Sequence, residues 1–222
     1  MAEPAPECAL EALSLYRFYR VGDEETLALQ GVSLCVEPGE LVAVTGPSGS
    51  GKSTLLSCLA GMDDPDGGTV RVAGQRISHR AERERARIRG RHIGMLFQGA
   101  NLVEHLNVSQ NVALVRSLAG QSGKGTEILS VLGLQGRSTA YPSQLSGGEL
   151  ARAGLAIALA NSPTVLLADE PTGELDSTTE AQVLDLLVSV ANRGAAVVVA
   201  SHSAAVASAA TRGIRLEDGR AS

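Results

Sequence analysis

The densest chemistry in the chain sits in Gly46-Pro47-Ser48-Gly49-Ser50-Gly51-Lys52-Ser53. The spacing G-x-x-x-x-G-K-S is that of a loop whose bare backbone turns several N–H groups toward one phosphate. A helix beginning at its end adds partial positive charge. Lys52 is placed to reach the outer phosphates of a nucleoside triphosphate, and the Ser53 hydroxyl can ligate Mg²⁺. Thr54 follows in the first helical turn and completes the set of candidate ATP ligands. A second group is acidic. Asp169 and Glu170 end the apolar run Val165-Leu166-Leu167-Ala168, at the strand end where open α/β sheets bind ligands. Successive strand side chains point to opposite faces, so the two carboxylates are expected to do different jobs. Asp169 suits the Mg²⁺ sphere through water, and Glu170 suits a base that polarises an attacking water. His202 follows the apolar run "VVVAS", and Gln98 ends "IGMLF". If these strands are parallel, both face the same crevice: His202 toward the γ-phosphate and water, Gln98 toward Mg²⁺. Each has an ordinary reading when taken alone: an acidic turn, a structural histidine, a solvated glutamine. The phosphate loop upstream tips the balance. The stretch "GQSGKGT" (120–126) imitates that loop but puts Gly125 after Lys124 and follows no strand, so it reads as a surface loop.

Elements must hold these groups. "ALEALSLYRF" and "VSLCV" read as strands, and "LVAVTG" as a buried strand feeding the phosphate loop. "KSTLLSCLAG" is helical and stops at Gly61, and "GGTVRVAG" is a strand between glycines. "AERERARIRGRH" (81–92) is a charged helix or turn, whose plain reading is a solvated face with Glu/Arg pairs. From 99 to 160 helical patterns dominate. "TVLLADE", "AAVVVAS" and "GIRLEDG" then supply strands around the amphipathic helix 177–193. Strands alternating with helices imply an α/β fold with a mainly parallel sheet.

Composition bounds the function. The chain has 222 residues, 44% hydrophobic and 2% aromatic without Trp, so its core must be Leu, Val, Ala and Ile. A net charge of −5 argues against a general nucleic-acid binder. Cys8, Cys35 and Cys58 are far apart and odd in number, and are expected to be reduced thiols in a cytosolic protein. No apolar run has the length of a membrane span and no signal peptide opens the chain, so work at a membrane would go through a partner. The terminus "MAEPAPE" is expected to fray.

One stretch is left over: "LSGGELARAGLAIALA" (145–160), which puts Ser146, Gly147 and Gly148 before an apolar helix. Glycine is poor inside a helix, but a serine hydroxyl and open N–H groups at a helix N-terminus make an anion site. In order and spacing, phosphate loop 46–53, Gln98, "LSGGE" 145–149, Asp169-Glu170, "GELD" 173–176 and His202 resemble the ATP-binding-cassette (ABC) ATPases over essentially the whole chain. The resemblance implies a P-loop NTPase (RecA-like) core with an N-terminal antiparallel β subdomain, spanning 1–98 and 161–222, and an inserted α-helical signature subdomain, 99–160. It implies ATP and Mg²⁺ as cofactors, and a head-to-tail dimer in which each ATP lies between one chain's phosphate loop and the other's Ser146-Gly147-Gly148. It makes Tyr19 resemble the aromatic that stacks on adenine, with Tyr16 and Phe18 as competitors. Asp176 resembles the aspartate that contacts the opposite phosphate loop, and Arg152 is placed to reach across as well.

The run "ERARIRGRHIGMLFQGANLVEHLNVSQNVAL" is similar to cassettes of the macrolide-export, lipoprotein-release and cell-division group. That likeness implies an integral membrane permease with four spans and a large extracytoplasmic domain. The cassette would lie peripherally on the cytoplasmic face of the cell membrane, with no nucleic acid partner. The expected function is ATP hydrolysis driving that permease. The alternative is a signalling complex with a permease-like partner, for example one controlling a cell-wall hydrolase. A soluble cassette of translation or DNA repair ranks below both, because this chain has one cassette and no long coiled-coil insertion. Departures from the family pattern are Glu104, Gln110, Ala151, Ile157, Glu174 and Ser203. None is a residue assigned to phosphate, Mg²⁺ or water; they bear on turnover and on coupling of the helical segment.

Overall fold

The computed structural model describes residues 8–21, 24–97, 101–123, 125–173 and 175–222. The terminal "MAEPAPE", Gln98, Lys124 and Glu174 lie outside the described residues. The first half of the chain forms β1 (Leu10–Val21), β2 (Glu24–Val36), β3 (Leu41–Thr45), α1 (Lys52–Leu59), β4 (Gly67–Val72), β5 (Gln75–Arg76), α2 (Glu82–His92) and β6 (Ile93–Leu96). Then come α3 (Val108–Leu118), α4 (Glu127–Val131), α5 (Gly147–Leu159), β7 (Val165–Asp169), α6 (Ser177–Asn192), β8 (Ala196–Ala200), α7 (Ala204–Ala209), β9 (Arg212–Glu217) and β10 (Arg220–Ala221).

Two sheets result. The antiparallel one has the order β2-β1-β4-β5, and the other β10-β9-β3-β8-β7-β6. In the latter, β9, β3, β8, β7 and β6 are mutually parallel and β10 turns back on β9. Strand β3 lies between β8 and β9, so the loop leaving its carboxyl end opens between strands that come much later in the chain. The continuous apolar runs are explained by burial on both faces. Val42, Val44, Val165, Leu167, Val198 and Ala200 pack into one core with α1 and the antiparallel sheet. Their neighbours Leu41, Ala43, Leu166, Ala168, Val197 and Val199 pack into the other, with residues of α3, α4, α5 and α6.

Strands β1 and β2 run 12 and 13 residues, well beyond the apolar patches that announce them. Their pairing shifts register between Ala12 and Leu15, and Ser14 takes a left-handed φ of 48°. A bulge of this kind interrupts the two-residue alternation on which strand recognition rests. The charged segment 81–92 is helical. Its inner arginines are tied down, Arg85 to Asp64 at 3.2 Å and to Glu82 at 2.9 Å, and Arg89 to Glu82 and to the Gly61 carbonyl. The Glu/Arg pairing expected of a solvated face is therefore present, and it also docks α2 on the end of α1.

The cysteine expectation is corrected. Cys8 and Cys35 form a disulfide, with Cα atoms 5.5 Å apart, and only Cys58 is a free, buried thiol among the described residues. Antiparallel pairing of β1 with β2 sets Leu10 opposite Val36 and Glu11 opposite Cys35, which brings Cys8 alongside. Burial, reinforced by Asp63, pushes the Cys58 thiol up to about 12.

Candidate functional site

The segment 46–53 connects β3 directly to α1. Two of its glycines are required by close approach. A Cβ on Gly46 (φ 152°) would stand 2.1 Å from the Leu216 carbonyl oxygen, and one on Gly51 (φ 102°) 2.3 Å from that of Ala28. Gly49 has open space around it and borders a cleft of about 550 Å³. Gly51 caps α1 without a side chain, so the helix N-terminus stays open toward the cleft. Lys52 Nζ donates to the carbonyls of Gly46 and Pro47, at 2.9 and 3.0 Å, and so lies over the loop. Lys52, Ser53 and Thr54 all border the cleft.

The opposite wall comes from Thr26, Ala28 and Gln30 of β2 and from Asp218-Gly219 in the turn between β9 and β10. No motif in the sequence marks these residues. The Gly219 N–H donates to the Ser50 carbonyl and Gln30 Nε2 to the Asp218 carbonyl, so the C-terminal hairpin buttresses the loop. The only signal was the turn-forming pair Asp-Gly near the chain's end.

Of the three clustered aromatics, Tyr19 borders the cleft. Tyr16 lies elsewhere, with its hydroxyl against Gly31 and its Cβ against Gly67. Phe18 anchors its backbone N–H on Asp66 at 3.0 Å.

The acidic pair occupies the end of β7. Asp169 is the last strand residue, and its Oδ1 is buried with no hydrogen-bond partner. Glu170 lies outside the strand with a left-handed φ of 46°. Strand alternation therefore stops at Asp169, and the left-handed turn sets the stance of Glu170. Glu170 Oε2 accepts from Ser201 Oγ at 3.1 Å, and its Oε1 lies 3.0 Å from His202 Nδ1. With Nδ1 as the donor, the exposed ring presents Nε2 outward. The structure therefore joins Glu170 and His202 and adds Ser201, which sequence reading did not single out. In the β3-β8-β7 order this group follows the two strands next in line to β3, though none of Asp169, Glu170 and His202 borders the phosphate-loop cleft.

Ser146 is the N-cap of α5. Its Oγ accepts from the Glu149 N–H and donates to Glu149 Oε2, whose carboxylate in turn accepts from the Ser146 N–H. Arg137 closes the arrangement with two bonds to Glu149, at 2.7 and 3.1 Å. The Arg137 guanidinium, then the Ser146 N–H, hold the Glu149 carboxyl down at about 2. Ser146 and Gly147 are exposed, whereas α5 beyond Arg152 is buried on the sheet. None of residues 146–148 borders the cleft beside the phosphate loop of the same chain. Asp176 caps α6, accepting from the Thr179 hydroxyl at 2.7 Å and from the Thr178 and Thr179 N–H groups. Those bonds, the hydroxyl's first, lower its pKa. Arg152 Nη1 donates to Gln182 at 3.3 Å on the same exposed side.

This arrangement has close relatives. Residues 29–173 match the ABC transporter family. The macrolide export ATP-binding/permease protein MacB of Shigella flexneri is 43% identical over 215 residues, which is 95% of this chain and 33% of that protein. MacB of Escherichia coli K12 is 42% identical with the same coverage. This chain thus spans about a third of the length of the curated relatives it matches. Among solved structures, the dimeric bacterial ABC transporter cassette MJ0796 superposes with a TM-score of 0.89 at 35% identity, covering 96% of both chains. The same cassette in a dimeric post-hydrolysis state, bound to ADP and Pi, gives 0.88 at 35% identity over 96% of this chain and 97% of that one. The chain belongs to the ABC transporter family and has the fold of an ABC transporter cassette.

Proposed function

We propose that this chain hydrolyses ATP as one half of a head-to-tail cassette dimer and drives a separate membrane permease of the export or lipoprotein-release type. The observation that carries the mechanism is the contact between Glu170 and His202 next to Asp169. The phosphate loop, Lys52 and the open N-terminus of α1 bind the triphosphate, and Tyr19 stacks on the base. Asp169 and Ser53 suit Mg²⁺: Asp169 Oδ1 is buried without a partner, a state that costs free energy unless a cation or its water completes it. When bound, the ion supplies charge neutralisation at the outer phosphates. Gln98 is the further candidate ligand. Glu170 takes up the proton of the attacking water, held in place by Ser201 and His202. Ser146, Gly147 and Gly148 of the second chain complete the phosphate shell, with that chain's Asp176 near the opposite phosphate loop. The cassette comprises the core, 1–98 and 161–222, and the helical signature segment, 99–160.

The identity to MacB supports the export assignment, and the dimeric MJ0796 cassettes support a homodimer. No helix among the described residues is long and apolar enough to cross a membrane. The proposed place of the cassette is peripheral, on the cytoplasmic face of the cell membrane, beside a four-span permease with a large extracytoplasmic domain. Glu170→Gln is expected to keep ATP binding and accumulate closed dimers while turnover falls by about 10²- to 10⁴-fold; unchanged turnover in a steady-state phosphate assay would remove Glu170 as the base. Co-purification with a four-span permease, followed by a flux assay, tests the coupling. Association without flux would favour the signalling alternative.

A further inference from the structure

The exposed Tyr19 ring is held from two sides. The Arg17 guanidinium stacks on it, 4.7 Å from its centroid. The Tyr19 hydroxyl donates to Asp63 Oδ2 at 2.9 Å. Arg17 and Tyr19 are two apart on β1, so their side chains leave the strand on one face. Arg17 is itself fixed. Its Nε and Nη2 grip both oxygens of Asp63 at 2.9 Å, and its Nη1 reaches both oxygens of Asp66 at 3.1 to 3.2 Å. Asp66 also accepts the Phe18 N–H and donates its own N–H to the Tyr16 carbonyl. Every nitrogen of this half-buried guanidinium is thus engaged. Tyr19 as a whole remains 37% exposed and borders the cleft.

Asp63 and Asp66 follow α1, the helix whose first residues are Lys52 and Ser53. That helix has 8 residues, a rod of about 12 Å at 1.5 Å per residue. One end faces the phosphates, and the loop beyond the other end grips the aromatic. Base and phosphate sites are therefore spaced by a rigid element and not by the long β1–β2 hairpin alone. An untethered exposed tyrosine would have to be ordered when the base arrives, and ordering in advance spares that cost.

We propose that Arg17 and Asp63 are positioning residues for the nucleotide base, holding the Tyr19 ring at the cleft in the orientation on which the base stacks. This rests on the reading of Tyr19 as the base platform and adds the clamp that presets it. The test compares equilibrium affinity for ATP with that for inorganic triphosphate, which carries no base, on the purified chain. Tyr19→Phe keeps the ring and loses the Asp63 bond, with little risk to folding. It is expected to weaken ATP by about five-fold, the factor of one ordinary hydrogen bond, and to leave triphosphate unchanged. Arg17→Gln is expected to weaken ATP further, again sparing triphosphate. If both ligands weaken in parallel, Arg17 and Asp63 support the fold generally and the clamp is refuted. If Tyr19→Leu loses ATP affinity while Tyr19→Phe and Arg17→Gln keep it, the platform stands and the clamp falls. Full ATP affinity in Tyr19→Leu would end the platform reading itself.

Discussion

Glu149 brings a full negative charge to the helix N-terminus where a partner's phosphate is proposed to dock. Arg137 offsets that charge with two hydrogen bonds. Removing the arginine while leaving the acid should repel the triphosphate: Arg137→Gln is expected to weaken ATP-driven dimerisation, and adding Glu149→Gln should restore it. Analytical ultracentrifugation with ATP in the hydrolysis-deficient Glu170→Gln background would read both. Because the Glu149 carboxyl is depressed from 4.5 to about 2, its contribution to stability is present above about 4.5 and lost as pH falls toward 2. A carboxyl ¹³C titration should therefore find Glu149 ionised at pH 3.5; a midpoint near 4.5 would refute the pairing. The phosphate loop was legible residue by residue, since spacing alone specifies a loop built from contiguous backbone. The stance of Glu170 was not, because its left-handed turn depends on what surrounds the end of β7.

Among the elements, the β1–β2 ribbon and the packing of α5 have the sharpest consequences. Closing Cys8 onto Cys35, 27 residues apart, should add about 3.5 kcal/mol in the chain-entropy account of loop closure. Cys8→Ser should therefore lower the melting temperature of the oxidised protein, and reductant should abolish the difference from the parent. Equal melting temperatures under oxidising conditions would mean that the bond does not form in solution. Helix α5 lies so close to β6 that a Cβ on Gly94 would meet the Ala158 carbonyl at 2.3 Å. Gly94→Ala should cost roughly 1–3 kcal/mol through overpacking, visible in urea unfolding. It should also shift the exposed signature end of the helix. The buried strands β3, β7 and β8 were plain in the sequence because both faces are apolar. The lengths of β1 and β2 were not, because bulges break their alternation.

For the whole molecule, none of Ser146, Gly147 and Gly148 borders the phosphate-loop cleft of its own chain. Completing a second chain's nucleotide site is the use proposed for that exposed helix N-terminus. Ser146→Arg or Gly147→Asp should spare ATP binding and stop hydrolysis, as read by equilibrium binding beside a phosphate-release assay. Equal loss of both would argue against a site shared between chains.

The sequence by itself determined the class of chemistry. A phosphate loop, a helix N-terminus and an acidic strand end are each contiguous, so their physics is written in local spacing. Only the tertiary structure decided which of three aromatics faces the cleft, that Cys8 meets Cys35, and that the C-terminal turn at Asp218-Gly219 braces the phosphate loop. It also bound Glu170 to His202. Those outcomes depend on strand register and sheet order, which bring together residues from distant parts of the chain, and no local pattern encodes that proximity.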